Sequence, residues 1–199
     1  EDMRISISKK FRKKYFGGFL YATTNLYSGN RGIPSRSGTS DYNKAKFETE
    51  LIEGVFKKIS NTINYKPYFS KRFTGAQIEL EKINKIKNIN LIKNEIDLRY
   101  LLKYFKVIIT SRATSTIGWC LLSNRPIIYI ENLDNRLSKR AYQEFKKNLF
   151  FFDVKDRKWK NKLKKLLSKS IFDIEREWKA GAIQRKSFIE EFFGDITSN

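Results

Sequence analysis

The sequence has no histidine and only one cysteine, Cys120, in 199 residues. Those scarcities exclude the usual zinc sites, which are built from cysteine and histidine. They also exclude a Ser-His-Asp triad or a Cys-His pair within this chain. A disulfide framework is impossible, and a single thiol fits a reducing compartment. Long hydrophobic runs are missing too. The longest have a few residues, against the roughly 20 that span a bilayer. The first residues lack the charged, apolar and small-residue order of a signal peptide. The chain opens on Glu1 rather than Met and is expected to be a piece of a longer protein. Neither GxxxxGK[ST] nor GxGxxG after a strand occurs, so a P-loop NTPase or an ordinary NAD enzyme is not expected. There is no internal repeat, no clear linker, and no RNP, zinc or helix-turn-helix signature.

What is present is enough for a real core: 40% of residues are apolar and 15% aromatic. The formal charge is +20, from 41 basic and 21 acidic residues. Such an excess favours an anionic partner: nucleic acid, a phosphate-bearing ligand or an anionic membrane. Lys, Asn and Ile are all abundant, which an AT-rich genome would also produce. Charge therefore does not choose among partners.

The order of apolar patterns alternates between strand and helix. Gly17 to Thr23 reads as a first strand, followed by the loop "NLYSGNRGIPSRSGTSD". Asp41 is expected to cap a helix whose apolar face carries Phe47, Leu51, Val55, Ile59 and Ile63 at spacing four. "NYKPYF" (64–69) reads as a second strand, 76–88 as a weakly patterned helix, "INLI" (89–92) as a strand and 97–105 as a short helix. Val107 to Thr110 has no polar alternation and reads as a parallel strand buried on both faces. Thr116 to Ser123 reads as a helix, with Asn124 left-handed after it and Pro126 barring its continuation. Ile127 to Ile130 is a strand, Ser138 opens a helix, and Phe150 to Val154 is a strand. From Trp159 the chain reads as basic amphipathic helix to about Phe193. Strands separated by helices of this length imply a parallel sheet with right-handed crossovers. The expected fold is α/β: a Rossmann-like parallel sheet with helices on both faces and a C-terminal helical extension. Residues 1–155 would form the Rossmann-like domain and 156–199 the basic helices packed on it.

Ligands of such sheets bind at the carboxyl ends of strands, beside helix N-termini. Ser111, Thr114, Ser115 and Thr116 put four hydroxyls within six residues at such a place. First-turn N–H groups and the helix dipole favour an anion there, and Arg112 adds charge. An ordinary helix cap at Thr114 or Ser115 is the competing reading. Arg31 lies in the glycine-containing loop after the first strand, which reads equally as a ligand-closing loop or a solvated connection. Lys66 and Tyr68 stand at a strand end, where a lysine can reach a phosphate and a tyrosine can stack or hydrogen-bond. An exposed edge would look the same.

Together, "YKPYF" and "VIITSRATSTIGWCLLSNRPIIYI" resemble the C-terminal, donor-binding half of a GT-B glycosyltransferase, of the bacterial surface-polysaccharide and glycerophosphate type. The resemblance covers roughly residues 17–154. In that family a K-P-H-P-like segment precedes an apolar strand, a hydroxyl-rich loop, a helix and a G-K/R-P-hydrophobic strand. Here Tyr68 stands where the histidine would, and Phe69 where the second proline would. The resemblance implies that Ser111, Thr114, Ser115 and Thr116 hold the donor phosphates with help from Lys66. It places Tyr68, Arg112, Glu131 and Arg31 near the donor nucleotide or sugar. It implies a metal-independent transferase using no cofactor, whose catalytic base lies on another domain. The expected partners are a nucleotide-sugar or CDP-type donor and a polysaccharide or lipid-linked acceptor, in the cytoplasm or peripheral on the inner membrane face. An anionic membrane surface is a further candidate partner for the basic C-terminal helices. A basic nucleic-acid-binding module or a non-catalytic interaction domain is the alternative, though nucleic acid explains the hydroxyl loop poorly.

Overall fold

The computed structural model describes residues 17–23, 40–67, 78–92, 97–133 and 136–193. Tyr68, Arg31 and most of the glycine-containing loop lie outside them. Six strands, β1 (Phe19–Ala22), β2 (Ile63–Lys66), β3 (Ile89–Leu91), β4 (Val107–Thr110), β5 (Ile127–Glu131) and β6 (Phe150–Asp153), form one sheet. Their order is β3-β2-β1-β4-β5-β6 and every pair is parallel. Among the described residues the helices are α1 (Asp41–Gly54), α2 (Ile78–Ile83), α3 (Leu98–Leu101), α4 (Ser115–Leu122), α5 (Lys139–Asn148), α6 (Trp159–Leu167), α7 (Ile171–Ala180) and α8 (Ala182–Phe193). This is the α/β architecture expected from the pattern, and β4 is central as its unbroken apolar run requires.

Alternation along the strands sorts side chains between two cores. Tyr21, Ile109 and Ile130 face one core, which Leu51 and Ile52 of α1 and Leu163 and Leu167 of α6 complete. Leu20, Ile108 and Tyr129 face the other, closed by Leu101, Cys120, Phe145, Trp178 and Phe188. The C-terminal helices therefore serve both faces: α6 and Ile174 pack on one, Trp178 and Phe188 on the other.

Several boundaries differ from the sequence pattern, each for a local reason. Gly17 has φ +90°, a conformation that favours glycine, so β1 begins only at Phe19. Ser40, not Asp41, caps α1: its Oγ accepts from the Asn43 N–H at 3.2 Å. Asp41 sits in the first turn, where a carboxylate suits the helix dipole, and pairs with Lys44 at 3.2 Å. The spacing of four from Phe47 to Ile63 is not one helix face. Gly54 ends α1, a 3-10 turn covers Phe56–Lys58, and Ile63 opens β2. Val55, Ile59 and Ile63 still enter the same core, so the period outlasts the helix that suggested it. Asn88 Nδ2 donates to Phe56 O at 2.7 Å and Ile59 O at 2.8 Å, satisfying carbonyls where the helix has stopped. Residues 97–105 are likewise split, into α3 and a 3-10 turn over Leu102–Tyr104. Asn124 takes the left-handed position after α4, at φ +52°.

The two candidate caps of α1 should separate by mutation. Ser40→Ala should lower stability by about 0.5–2 kcal/mol. Asp41→Asn should cost about 0.3–1 kcal/mol and lose its effect at high salt. Chemical denaturation at two ionic strengths measures both; the reverse ranking would return the cap to Asp41.

Candidate functional site at the carboxyl edge

Strand order reverses between β1 and β4: from β1 the chain moves to β2 on one side and later returns to β4 on the other. A crevice opens at such a switch point, outside the carboxyl ends of the strands. Register aligns Lys66, Ala22, Thr110 and Tyr129 in a row along this edge. Immediately beyond Thr110 comes the hydroxyl-rich loop, then the N-terminus of α4.

The loop divides into a fastened part and an open part. Ser111 and Arg112 are buried. The Ser111 carbonyl accepts from Asn132 Nδ2 at 2.9 Å, and its Oγ lies 3.4 Å from the Tyr21 hydroxyl. Thr114 and Ser115 are exposed and Thr116 is half-buried. Thr114 is the N-cap of α4, its Oγ1 accepting from the Thr116 N–H at 3.4 Å. One of the four hydroxyls thus closes the helix, while Ser115 and Thr116 occupy its first turn.

Beneath the open part four buried polar side chains gather, Thr110, Arg112, Tyr129 and Glu131; among the described residues Thr110 Oγ1 and Arg112 Nε make no hydrogen bond, while the Tyr129 phenol and the Glu131 carboxyl act on each other. Alternation puts all four residues on the face of the sheet that α4 covers. Glu131 is wholly buried; its Oε1 accepts from the Leu137 N–H at 2.8 Å and faces Arg136 Nε at 3.5 Å. Burial pushes its carboxyl above the usual range. Burial, and next the Glu131 charge, raise the Tyr129 phenol. Thr110 and Tyr129 carry no motif, and only strand register reveals that they belong here.

Lys66 ends β2 on the same face of the sheet and is buried, with Nζ donating to Pro67 O at 3.3 Å. Burial lowers its pKa, and Asp97 opposes that by attraction. Lys66 and the α4 N-terminus therefore share one face of the edge, separated by β1. At about 4.8 Å per strand, two strand spacings put the backbones of Lys66 and Thr110 roughly 10 Å apart.

On the opposite face sits a group that sequence reasoning missed. Glu48 of α1 has no exposed surface. Its Oε1 accepts from Tyr21 OH at 2.6 Å and Thr23 Oγ1 at 3.0 Å, and its Oε2 from Tyr65 OH at 3.1 Å. Hydroxyl donors of this kind help a carboxyl group stay in so dry a place. The available signal was spacing: Glu48 falls three and four residues before Leu51 and Ile52, on the buried stripe. Near it a cavity of about 250 Å³ is lined by Asn43, Phe47, Asn132 and Trp159 among others.

A polar clamp holds the β5 end of the crevice. Arg136 Nη1 and Nη2 donate to the two Asp153 carboxylate oxygens at 2.9 Å each, and Tyr142 OH donates to Oδ2 at 2.9 Å. Hydrogen bonding by Arg136 is the main reason the Asp153 carboxyl falls to about 2.

No family model matches the sequence, and no curated protein matches it. Ten solved chains resemble the structure. One is named Spinosyn Forosaminyltransferase SpnP; it is 18% identical, with a TM-score of 0.53 over 94% of this chain and 42% of that one. The chain therefore spans less than half of that protein's length. At this identity the likeness is one of fold alone, a Rossmann-like α/β sheet.

The Asp153 clamp predicts a pH effect of definite sign. Its folded pKa lies below the ordinary 3.8, so its stabilisation is present above that value and is lost as pH falls toward about 2. Asp153→Asn should cost about 1–2 kcal/mol near neutral pH and flatten the acid limb of the stability curve. Thermal melts of both proteins across the acid range measure this. An unchanged acid limb in the variant would mean that other carboxylates set it.

Proposed function

We propose that this chain is the donor-binding part of a metal-independent, GT-B-type glycosyltransferase. It takes a nucleotide-activated donor, a nucleotide-sugar or a CDP-type compound, for transfer to a polysaccharide or lipid-linked acceptor. The observation that carries this reading is the coincidence of three features at one place. The strand-order switch, the open hydroxyls Ser115 and Thr116, and the N-terminus of α4 all meet at the β1–β4 crevice. The fold shared with a forosaminyltransferase supports it.

In this reading the donor phosphates lie over the first turn of α4. Unpaired N–H groups there favour an anion, and Ser115 and Thr116 add hydroxyl donors. Lys66 approaches from the neighbouring strand end on the same face, and Ser111 and Arg112 shape the base of the loop. As the glycosidic bond to the donor phosphate breaks, negative charge grows on the departing nucleotide. Oriented donors at the helix terminus stabilise that charge more than they stabilise the ground state. Arg31, Tyr68 and Glu131 belong to the nucleotide or sugar end. Residues 1–155 form the donor domain in this proposal and 156–199 its helical extension, and the catalytic base comes from outside this chain. The setting proposed is the cytoplasm, at the inner face of the membrane. Among the described residues no helix is long and apolar enough to cross a bilayer.

The cap and the phosphate donors make different predictions. Thr114→Ala should lower stability by about 0.5–2 kcal/mol. Ser115→Ala with Thr116→Ala should leave the melting temperature nearly unchanged. A charge-assisted hydrogen bond is worth about 1.5–3 kcal/mol, so affinity for UDP, CDP or their sugar conjugates should fall roughly tenfold or more. Lys66→Ala should weaken binding in the same direction. Calorimetric titration beside thermal melts separates the two effects. A double variant that melts early yet binds donor like the parent would make the hydroxyls structural and overturn the site assignment. Tight, salt-resistant RNA binding with no nucleotide-sugar effect would favour the nucleic-acid reading instead.

A further inference from the structure

At the opposite, amino-terminal edge of the sheet lies a cavity of about 630 Å³, a size that suits a small organic molecule. Lys106 before β4 and Arg125 and Pro126 before β5 form one wall, and α7 and α8 form the other. Leu121 and Leu122, at the C-terminal end of α4, join Pro126 and Trp178 as apolar lining. The charged lining is mostly cationic: Lys106, Arg125, Lys179, Arg185 and Lys186. Lys106 is compensated by Glu175 at 3.7 Å and Lys186 by Glu190 at 3.6 Å. Arg125, Lys179 and Arg185 have no carboxylate partner among the described residues.

Arg185 is the informative residue, a cation only 8% exposed. Its guanidinium carbon lies 3.6 Å from the centre of the Trp178 ring, and Nη2 donates to the Trp178 carbonyl. The Trp178 ring is itself held by Phe150, 5.8 Å away centre to centre. Gly181 makes room for the guanidinium: a Cβ there would fall 2.8 Å from Nη1. Gly181 has φ −99°, which any residue adopts, so it is this close approach and not the backbone that calls for glycine. The cation is thus seated in place, yet no counter-charge meets it. A buried cation in that position is costly unless an anion completes it. Arg125 is bonded only to the Lys103 carbonyl at 3.5 Å, and Lys179 is exposed on the rim.

We propose that this cavity binds a small organic phosphate monoester, with its phosphate among Arg185, Arg125 and Lys179 and its apolar body against Leu121, Leu122 and Pro126. A phosphate monoester carries about −1.5 to −2 charges at neutral pH, so it offsets more of the three uncompensated cations than a singly charged group does. The planar fork of a guanidinium matches phosphate oxygens. The apolar lining gives a bare inorganic ion nothing to bind, whereas an organic body removes it from water. The cavity lies at the sheet edge opposite the β1–β4 crevice, so it is a second site, and it does not depend on the glycosyltransferase reading.

The test is calorimetric titration of the whole chain with phenyl phosphate, benzenesulfonate and inorganic phosphate. Phenyl phosphate should bind roughly tenfold tighter than inorganic phosphate, through its ring, and roughly tenfold tighter than benzenesulfonate, which has the same ring but a single charge. Arg185→Met should weaken phenyl phosphate roughly tenfold or more, and so should Arg125→Gln with Lys179→Gln. The second pair is half-buried or exposed and carries the test should Arg185→Met not fold, as thermal melts will tell. Gly181→Ala removes no charge but displaces the guanidinium, and should also weaken binding. The control, Lys146→Gln with Lys147→Gln, removes two charges from exposed positions of α5 and should stay within about twofold, because screening confines each charge to its surroundings. Equal losses in the cavity and control pairs would show only the diffuse attraction of a strongly basic chain and overturn the proposal. Inorganic phosphate binding as tightly as phenyl phosphate would also overturn it, as would the absence of phenyl phosphate binding at millimolar concentration. Phenyl phosphate affinity that falls with Ser115→Ala and Thr116→Ala but not with the cavity pair would place the phosphate at the other edge and overturn it too. Donor binding is read separately, with UDP or CDP compounds and the Ser115 and Thr116 variants.

Discussion

The parallel pairing of β1 with β4 is the contact on which the rest of this structure depends. It joins Phe19 to Val107 and Ala22 to Thr110, residues almost ninety positions apart, and has both strands buried on each face. Each of these two strands also carries a second neighbour, so the pairing holds two halves of the sheet together. It creates the point where strand order reverses, and with it a crevice that neither half has alone. Parallel strands cannot be joined by a tight turn, so this pairing forces the crossover helices that cover both faces.

Burying polar groups at that edge has been handled differently on the two faces. On the α1 face Glu48 is surrounded by the hydroxyls of Tyr21, Thr23 and Tyr65, and Ser111 adjoins Tyr21. Those bonds tie α1 to β1 and β2 and leave the carboxylate well solvated by the protein. On the α4 face Glu131 accepts from the Leu137 N–H and interacts with the Tyr129 phenol, while Thr110 Oγ1 and Arg112 Nε make no hydrogen bond among the described residues. The second cluster is the less completely satisfied of the two. Open buried networks are costly, and they persist where packing around them over-determines the geometry. Here Asn132 and the Arg136–Asp153 clamp hold the surrounding backbone in place.

The basic C-terminal helices show why charge composition is a poor guide to role. Their lysines look alike in sequence, but their apolar residues divide between the two cores. Leu163, Leu167 and Ile174 close one face of the sheet and Trp178 and Phe188 the other. Most of the positive charge is what remains outside once those faces are buried. Arg185 is the exception, being turned inward against Trp178.

The sequence by itself determined the class of the fold. Unbroken apolar runs such as Val107 to Thr110 and the helices between them admit few arrangements other than a covered parallel sheet, because crossovers need length and buried strands need two apolar faces. Some cap and breaker chemistry was legible because it is local: the Ser138 side chain accepts from the nearby Ala141 N–H, and Asn124 and Pro126 act through their own backbone. Helix ends that depend on distant partners were not legible. Periodicity ran from Phe47 through Ile63, yet Gly54 and the Asn88 side chain stopped the helix halfway. The hydroxyl loop could be seen, but not which hydroxyl caps, which is buried and which stays open. Glu48, Tyr129 and Thr110 were invisible as a site because nothing local distinguishes them from neighbours on a helix or strand. Strand register and helix packing, set by contacts among residues far apart in the chain, decided which polar groups meet at the edge. They also decided which of those groups are left without a partner.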